Sequence, residues 1–436
     1  MAQTDKLRDQ RKSSGGTYRI SFALVLTVFL YALWGMAHNL NDILIAQFRK
    51  AFSLTDLQSS LVQSSFYIAY LVAPLPVMLF LQRFGYKRGV IAGLSLYAAG
   101  ALLFWPAAAT VTYGAFLGAL FVIACGIVFL ETAGTGIIVT LGTPERAEWR
   151  INVAQAFNPI GAITGVLVGR QFIFSGHELT PVERAAMSPT ALDAWRTAEA
   201  HAVQLPYLGI ALVVLAVVAL VAMTRFPVSA TRVERGAPLE GLNHLLGSRL
   251  FVFAVVAQFF YVGTQIGTWS FLIRYSQHAV PGTPDRQAAL YLTISLLLFL
   301  IGRFATLALL RRYSSAQIGM VFAAVAGTLA AIAIAAPGPL GIGSLVAVSF
   351  FMSIMYPGIY AIGLHGNEQY SKPASALMIM SIVAGAVLTA AMGAISDRFT
   401  IAHAYLVPLV GFVVVFLFFL TAVRSGRTGA AIAIGH

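Results

Sequence analysis

Apolar runs alternate with short polar segments along the whole chain, at 20–47, 57–82, 88–108, 112–141, 149–174, 203–225, 250–277, 287–311, 316–337, 341–366, 374–395 and 401–424. A helix rising ~1.5 Å per residue needs about 20 such residues to cross ~30 Å of hydrocarbon. The pattern therefore predicts an all-α membrane protein of twelve transmembrane helices. The first run begins behind Lys6, Arg8, Arg11, Lys12 and Arg19 and continues past Gln47 without a small-residue cleavage site. It reads as a retained helix and not as a removable leader.

Two connections are long. Segment 175–202 is polar and carries Glu178, Glu183, Asp193 and Glu199, while 226–249 is basic and divides the spans six and six. The expected organisation is a tail at 1–19, a first six-helix half at 20–225, a linker at 226–249, a second half at 250–424 and a tail at 425–436. Gly161 and Gly169 in span five repeat the spacing of Gly385 and Gly393 in span eleven. Glycines at such intervals are common in any close-packed membrane helices. With the six-plus-six loop pattern they favour parallel repeats that rock about a midplane site.

Composition excludes a water-soluble fold: 58% of the residues are hydrophobic, 10% are charged, and the mean hydropathy is +0.81. The net charge of +12 does not point to nucleic acid, because Lys and Arg stand singly or in pairs between apolar runs. Most of the 28 Lys and Arg fall in segments that alternate onto the side of the N-terminus, and the positive-inside rule then places both termini in the cytoplasm. Cys125 lies alone inside an apolar run and reads as packing.

All but two of the 16 acidic residues fall in tails, loops or helix ends; Asp42 and Glu131 remain within spans. An ionisable group there costs at least ~2.5 kcal/mol and should face the bundle interior or a wet cavity. Burial disfavours the charged form, which suits a carboxyl that must load and release protons near neutral pH. No Lys or Arg deep within a span is evident as a partner for either acid. In span one, Trp34, His38 and Asp42 recur at i, i+4 and i+8 beside Asn39 and Asn41, giving one polar face with an aromatic neighbour. Span five adds Gln155 and Asn158, and span seven adds Gln258, Tyr261, Gln265 and Trp269. Amides and aromatic rings suit a sugar, whose hydroxyls need donors and acceptors and whose C–H faces stack on rings. The competing reading for any single amide, and the stronger one for His38, is interhelical hydrogen bonding. An enzyme is not expected: His38 has no Cys, Ser or second His at ligand spacing, and no cofactor or metal motif is present. No connection is apolar enough to re-enter as a pore filter.

Longer runs carry a resemblance. Asn39-Leu40-Asn41-Asp42-Ile43-Leu44, Gln63-Ser64-Ser65-Phe66-Tyr67, Phe104-Trp105-Pro106, Leu130-Glu131-Thr132-Ala133, Ala154-Gln155-Ala156-Phe157-Asn158, Gln258-Phe259-Phe260-Tyr261-Val262-Gly263, Leu272-Ile273-Arg274-Tyr275 and Phe351-Met352-Ser353-Ile354 with Tyr356-Pro357 resemble the L-fucose:proton symporters of the major facilitator superfamily. The resemblance covers almost the whole chain. It implies a major facilitator fold, with Asp42 and Glu131 as the proton-linked carboxylates and Trp34, His38, Asn39, Glu131, Gln155, Asn158, Gln258, Tyr261, Gln265 and Tyr356 around the substrate. It further implies a monomer in a bacterial-type inner membrane, surrounded by lipid, importing a small-molecule sugar with protons and without a cofactor. The chain departs from the family at His38, at Gly134-Thr135-Gly136 and at Met355, all bordering the implied site. L-Fucose is the first expected sugar, with galactose, glucose or N-acetylglucosamine as alternatives and a sugar sensor or a channel as more distant readings.

Overall fold

The computed structural model describes residues 22–140, 147–174, 183, 186–224, 226, 242–365, 367 and 370–426. No strand occurs among them; the chain is a bundle of helices. Span one is Phe22–Phe52, span two is Asp56–Val72 with Pro74–Phe84, span three is Tyr86–Ala109, span four is Tyr113–Thr140, span five is Ala147–Phe172 and span six is Gln204–Met223. In the second half, span seven is Arg249–Ala279, span eight is Asp285–Leu309 and span nine is Ser315–Ala335. Span ten is Pro339–Met352 with Met355–Leu364; span eleven is Ser371–Met380, a 3-10 turn Ser381–Val383 and Ala384–Arg398; span twelve is Ile401–Ala404 with Leu406–Arg424.

Local chemistry sets these boundaries. Thr55 and Gln58 form a capping box at the start of span two, Ser314 and Gln317 form another at span nine, and Ser248 caps span seven. Span two bends by 51° where Pro74 and Pro76 interrupt it, since proline lacks the N–H and its ring crowds the preceding turn. Span ten breaks at Ser353 and Ile354, just before Pro357, which cannot donate to the carbonyl four residues earlier. The hydroxyl of Tyr261 meets this break by donating to the Met352 carbonyl at 2.8 Å.

Nine of the described helices are long and apolar enough to cross a membrane, and the bent pair of span two makes a tenth. Spans one and five complete the twelve and pack closely on one another. A Cβ at Gly161 would strike the carbonyl of Ala32, and one at Gly35 that of Asn158, so the two backbones touch directly as small residues allow. Span three packs on spans four and six, and span twelve on spans seven and nine. Across the halves, span two meets span eleven and span five meets span eight. The matched glycine spacings serve different partners. Gly161 and Gly169 face span one within a half, whereas Gly385 and Gly393 face Tyr67 and Leu57 of span two across the halves.

The connection 175–202 is not wholly irregular. It contains the helix Pro189–His201, capped by Ser188, whose side chain accepts from the Ala191 N–H at 3.3 Å. This helix lies against spans one and three. It is held there by Gln47, which donates to the carboxylate of Glu199 at 2.6 Å, and by Arg196, which donates to Ser53 at 2.9 Å. It marks one end of the bundle, the capped end. Most of the expected linker, 227–241, and both expected tails apart from residues 425–426 lie outside the described residues; a short helix Leu242–Gly247 leads into span seven.

Candidate functional site

Between the halves lies a cavity with about 970 Å³ of empty space including its mouth, within the range of small-molecule sites. The first half contributes Trp34, His38, Asn39 and Asp42 from span one, Gln63 and Tyr67 from span two, Glu131 from span four and Asn158 from span five. The close approach of spans one and five at Gly35 and Gly161 is what brings the backbone of Asn158 against the polar face of span one. Helical periodicity correctly gathered Trp34, His38 and Asp42 on one face.

The polar groups of this wall divide into those already engaged and those left open. His38 Nε2 accepts from the indole N–H of Trp34 at 3.3 Å, while Nδ1 lies 3.0 Å from the Trp34 carbonyl, an arrangement that fits a neutral ring with its proton on Nδ1. The Tyr70 hydroxyl sits 3.1 Å from the same Nε2. His38 thus fastens the Trp34 ring within span one and is hydrogen-bonded to span two through the Tyr70 hydroxyl. Asn39 donates to the Gly35 carbonyl at 3.2 Å, but its Oδ1 is buried without a partner, as is Glu131 Oε2. Asp42 is buried at 4% exposure, and its Oδ1 accepts from Gln63 at 2.8 Å and from Ser270 of span seven at 2.9 Å.

The second half supplies a more apolar wall, with Val262, Ile266, Phe299 and Ile382, joined by Gln265, Trp269, Tyr356 and Arg303. Trp269 donates its indole N–H to Ser349 at 2.9 Å, Ser349 is bonded to Ser295 at 2.5 Å, and the ring stands edge-on to Phe299. Both tryptophans of the cavity therefore have their N–H groups occupied and offer ring surface.

Two expected members of the site are not on the cavity wall. Gln258 is fully buried, and Tyr261 is buried with its hydroxyl committed to Met352. Both lie on the helical face expected from their spacing, but Gln258 is seven residues, or ~10 Å of helix, from Gln265 on the cavity wall, and its side-chain amide is buried without a partner. The side chain of Gln155 lies outside the described residues.

Among the described residues, two arginines lie deep in the spans, though neither forms an ion pair with Asp42 or Glu131. Arg303 of span eight lines the cavity, its guanidinium 5.0 Å from the Phe299 ring and its Nε buried without a partner. Its place well inside the run 287–311 was the available signal. Arg274 of span seven is 2% exposed and donates to Asp56 at 3.0 Å and Ser59 at 2.7 Å.

Residues 20–369 match the family model of the Major Facilitator Superfamily. The L-fucose-proton symporter of Escherichia coli (strain K12) is 39% identical over 425 residues, spanning 95% of this chain and 96% of that protein. The glucose/galactose transporter of Brucella abortus is 32% identical over 405 residues, spanning 93% and 95% respectively. A solved Major Facilitator Superfamily transporter, FucP, in the outward conformation superimposes with a TM-score of 0.71 at 38% identity, over 94% of this chain and 99% of that one. Twelve spans in two halves around one cavity, a family match over most of the chain and near full-length relatives lead to a single assignment: this chain is a member of the Major Facilitator Superfamily, in the group that holds the L-fucose-proton symporters.

Proposed function

We propose that this protein is a proton-coupled symporter that imports a monosaccharide, L-fucose first. The observation that carries the reading is the pair of carboxyls, buried Asp42 and half-buried Glu131, on one central cavity with two tryptophan faces. The open acceptors Asn39 Oδ1 and Glu131 Oε2 and the open donor Arg303 Nε await hydroxyl partners, since buried polar atoms without partners cost free energy until a ligand supplies them. The apolar second-half wall suits the less hydroxylated face of a sugar ring. The L-fucose-proton symporters among its relatives support this choice.

In this reading both termini are cytoplasmic, the capped end faces outward across a bacterial-type inner membrane, and the two halves, 20–225 and 250–424, rock as a monomer about the cavity. A proton taken from outside neutralises Glu131 or Asp42, sugar binds between Trp34 and Trp269, and closure of the outer side exposes the site inward. Release of both ligands restores the charged form.

The test is proton uptake. Adding L-fucose to de-energised cells making this protein should turn the medium alkaline, whereas D-glucose, D-galactose and N-acetylglucosamine should not. Alkalinisation by glucose and galactose alone would instead favour the second reading, a hexose symporter, which rests on the glucose/galactose transporters of Brucella abortus and Helicobacter pylori. No alkalinisation with any of the four would overturn proton-coupled sugar import.

A further inference from the structure

Among the polar bonds that join the two halves between described residues, one set forms a ladder along spans two and seven, apart from the Ser64 hydroxyl's bond to the Ala386 carbonyl at 3.0 Å and the bonds of Arg170 and Arg286 to carbonyls across the seam between spans five and eight. Its lowest rung is Asp42 itself. Oδ1 accepts from Gln63 at 2.8 Å and from Ser270 at 2.9 Å, and Gln63 also donates to Ser270 at 2.7 Å. Asp42 and Gln63 belong to the first half, Ser270 to the second, and Gln63 and Ser270 are each 1% exposed. One turn onward, Arg274 of span seven donates to Ser59 and Asp56 of span two. Asp56 also accepts from Ser396 of span eleven, and Asp397 accepts the Asp56 and Leu57 N–H groups at 2.7 and 2.8 Å. Beyond, at the rim, Lys50 of span one pairs with Asp285 of span eight.

The upper rungs consist of ion pairs, backbone amide bonds and bonds to serine hydroxyls. The lowest differs, because its acceptor is a carboxyl proposed to gain and lose a proton. Tyr67 of span two and Arg274 of span seven are the titratable and charged groups facing Asp42 from the helices packed on it; His38, Glu131 and Arg303 line the cavity alongside. An ionised carboxylate draws charge-assisted hydrogen bonds roughly twice as strong as neutral ones. Protonation removes that charge and converts one oxygen into a donor.

We propose that Ser270, together with Gln63, is a positioning pair that converts the protonation state of Asp42 into closure or opening of the capped end. The ionised carboxylate grips span seven and holds the two halves shut there. A proton on Asp42 loosens the grip, and by reciprocity closure of the ladder favours the proton's departure, which in an importer occurs toward the inside. This rests on the proton-coupled reading above, but its test needs neither sugar nor uptake.

Ile273, 1% exposed beside the ladder, reports opening once replaced by cysteine in a chain whose only other cysteine, Cys125, is changed to serine. Full-length protein in intact cells is treated with a membrane-impermeant maleimide at acid and at alkaline pH. With Ser270 present, labelling should be slow at alkaline pH and faster at acid pH. Ser270→Ala should raise the alkaline rate on the order of tenfold, from the loss of one hydrogen bond to a charged group, and flatten the pH dependence; Gln63→Met should act in the same direction. Asp42→Asn should be fast and flat, and adding Ser270→Ala to it should change nothing more. Size-exclusion profiles establish that each variant is folded; should Ser270→Ala not fold, Gln63→Met with and without Asp42→Asn decides the matter. An unaltered pH slope in these variants, or an effect of Ser270→Ala that persists undiminished beside Asp42→Asn, overturns the proposal. If instead the slope behaves as expected while no sugar drives proton uptake, the gate stands and the substrate reading falls.

Discussion

At the scale of single residues, the cavity separates groups that shape it from groups left to meet a ligand. Glu131→Gln keeps the volume of the side chain and removes its proton chemistry. It should abolish uphill accumulation of sugar while leaving counterflow exchange, and a variant that still concentrates sugar under a proton gradient would remove Glu131 from coupling. Arg303→Leu deletes the open cavity donor; with about 1.5–3 kcal/mol for a hydrogen bond from a charged group, sugar affinity measured by tryptophan fluorescence should fall roughly 10- to 100-fold. Ser349→Ala frees the indole of Trp269 and should weaken binding more mildly. The acids, His38, Asn39, Asn158 and Gln265 were legible in the sequence because a polar side chain in an apolar run is conspicuous and helical spacing assigns it a face. Arg303 was hidden by its own charge, which counts toward orientation wherever it stands near a helix end. Tyr261 erred the other way, since spacing fixes its face but not its depth along the bundle.

At the scale of the helix, close backbone contact and broken turns set the geometry of the site. Gly161→Ala would drive a methyl into the carbonyl of Ala32, and overpacking of this kind costs about 1–3 kcal/mol or more. Expression and the thermal midpoint should drop, with whatever folds showing altered sugar affinity because Asn158 shifts with span five. Tyr261→Phe removes the hydroxyl that serves the Met352 carbonyl at the break in span ten. It should lower the thermal midpoint by the equivalent of about 1 kcal/mol and leave sugar affinity unchanged, which separates a brace from a binding group. The spans themselves were readable from apolar length alone. The breaks in spans ten and eleven were not, since their run stays apolar through the interruption, and the Pro189–His201 helix was masked by its polar surface.

At the scale of the whole molecule, the two halves meet through spans two and eleven and spans five and eight, and at the capped end the seam is polar. Lys50→Asp would set two carboxylates against each other at the rim; breaking a largely buried pair costs about 3–5 kcal/mol. Uptake should be lost in Lys50→Asp and substantially recovered when Asp285→Lys is added, a reversal that generic misfolding would not give. The six-plus-six division follows the loop pattern of the sequence, but the seam does not, because its partners are more than 100 residues apart, as in the 218-residue separation of Asp56 and Arg274. One consequence lies in what this seam is made of. An oily seam, once parted, is pushed together again by water; a seam of carboxylates, guanidinium and hydroxyls is not, because each group parted from its mate is promptly hydrated. Wetting of one rung lowers the cost of parting the next, so this doorway should have few half-open positions, and a carrier that is seldom ajar on one side leaks few protons.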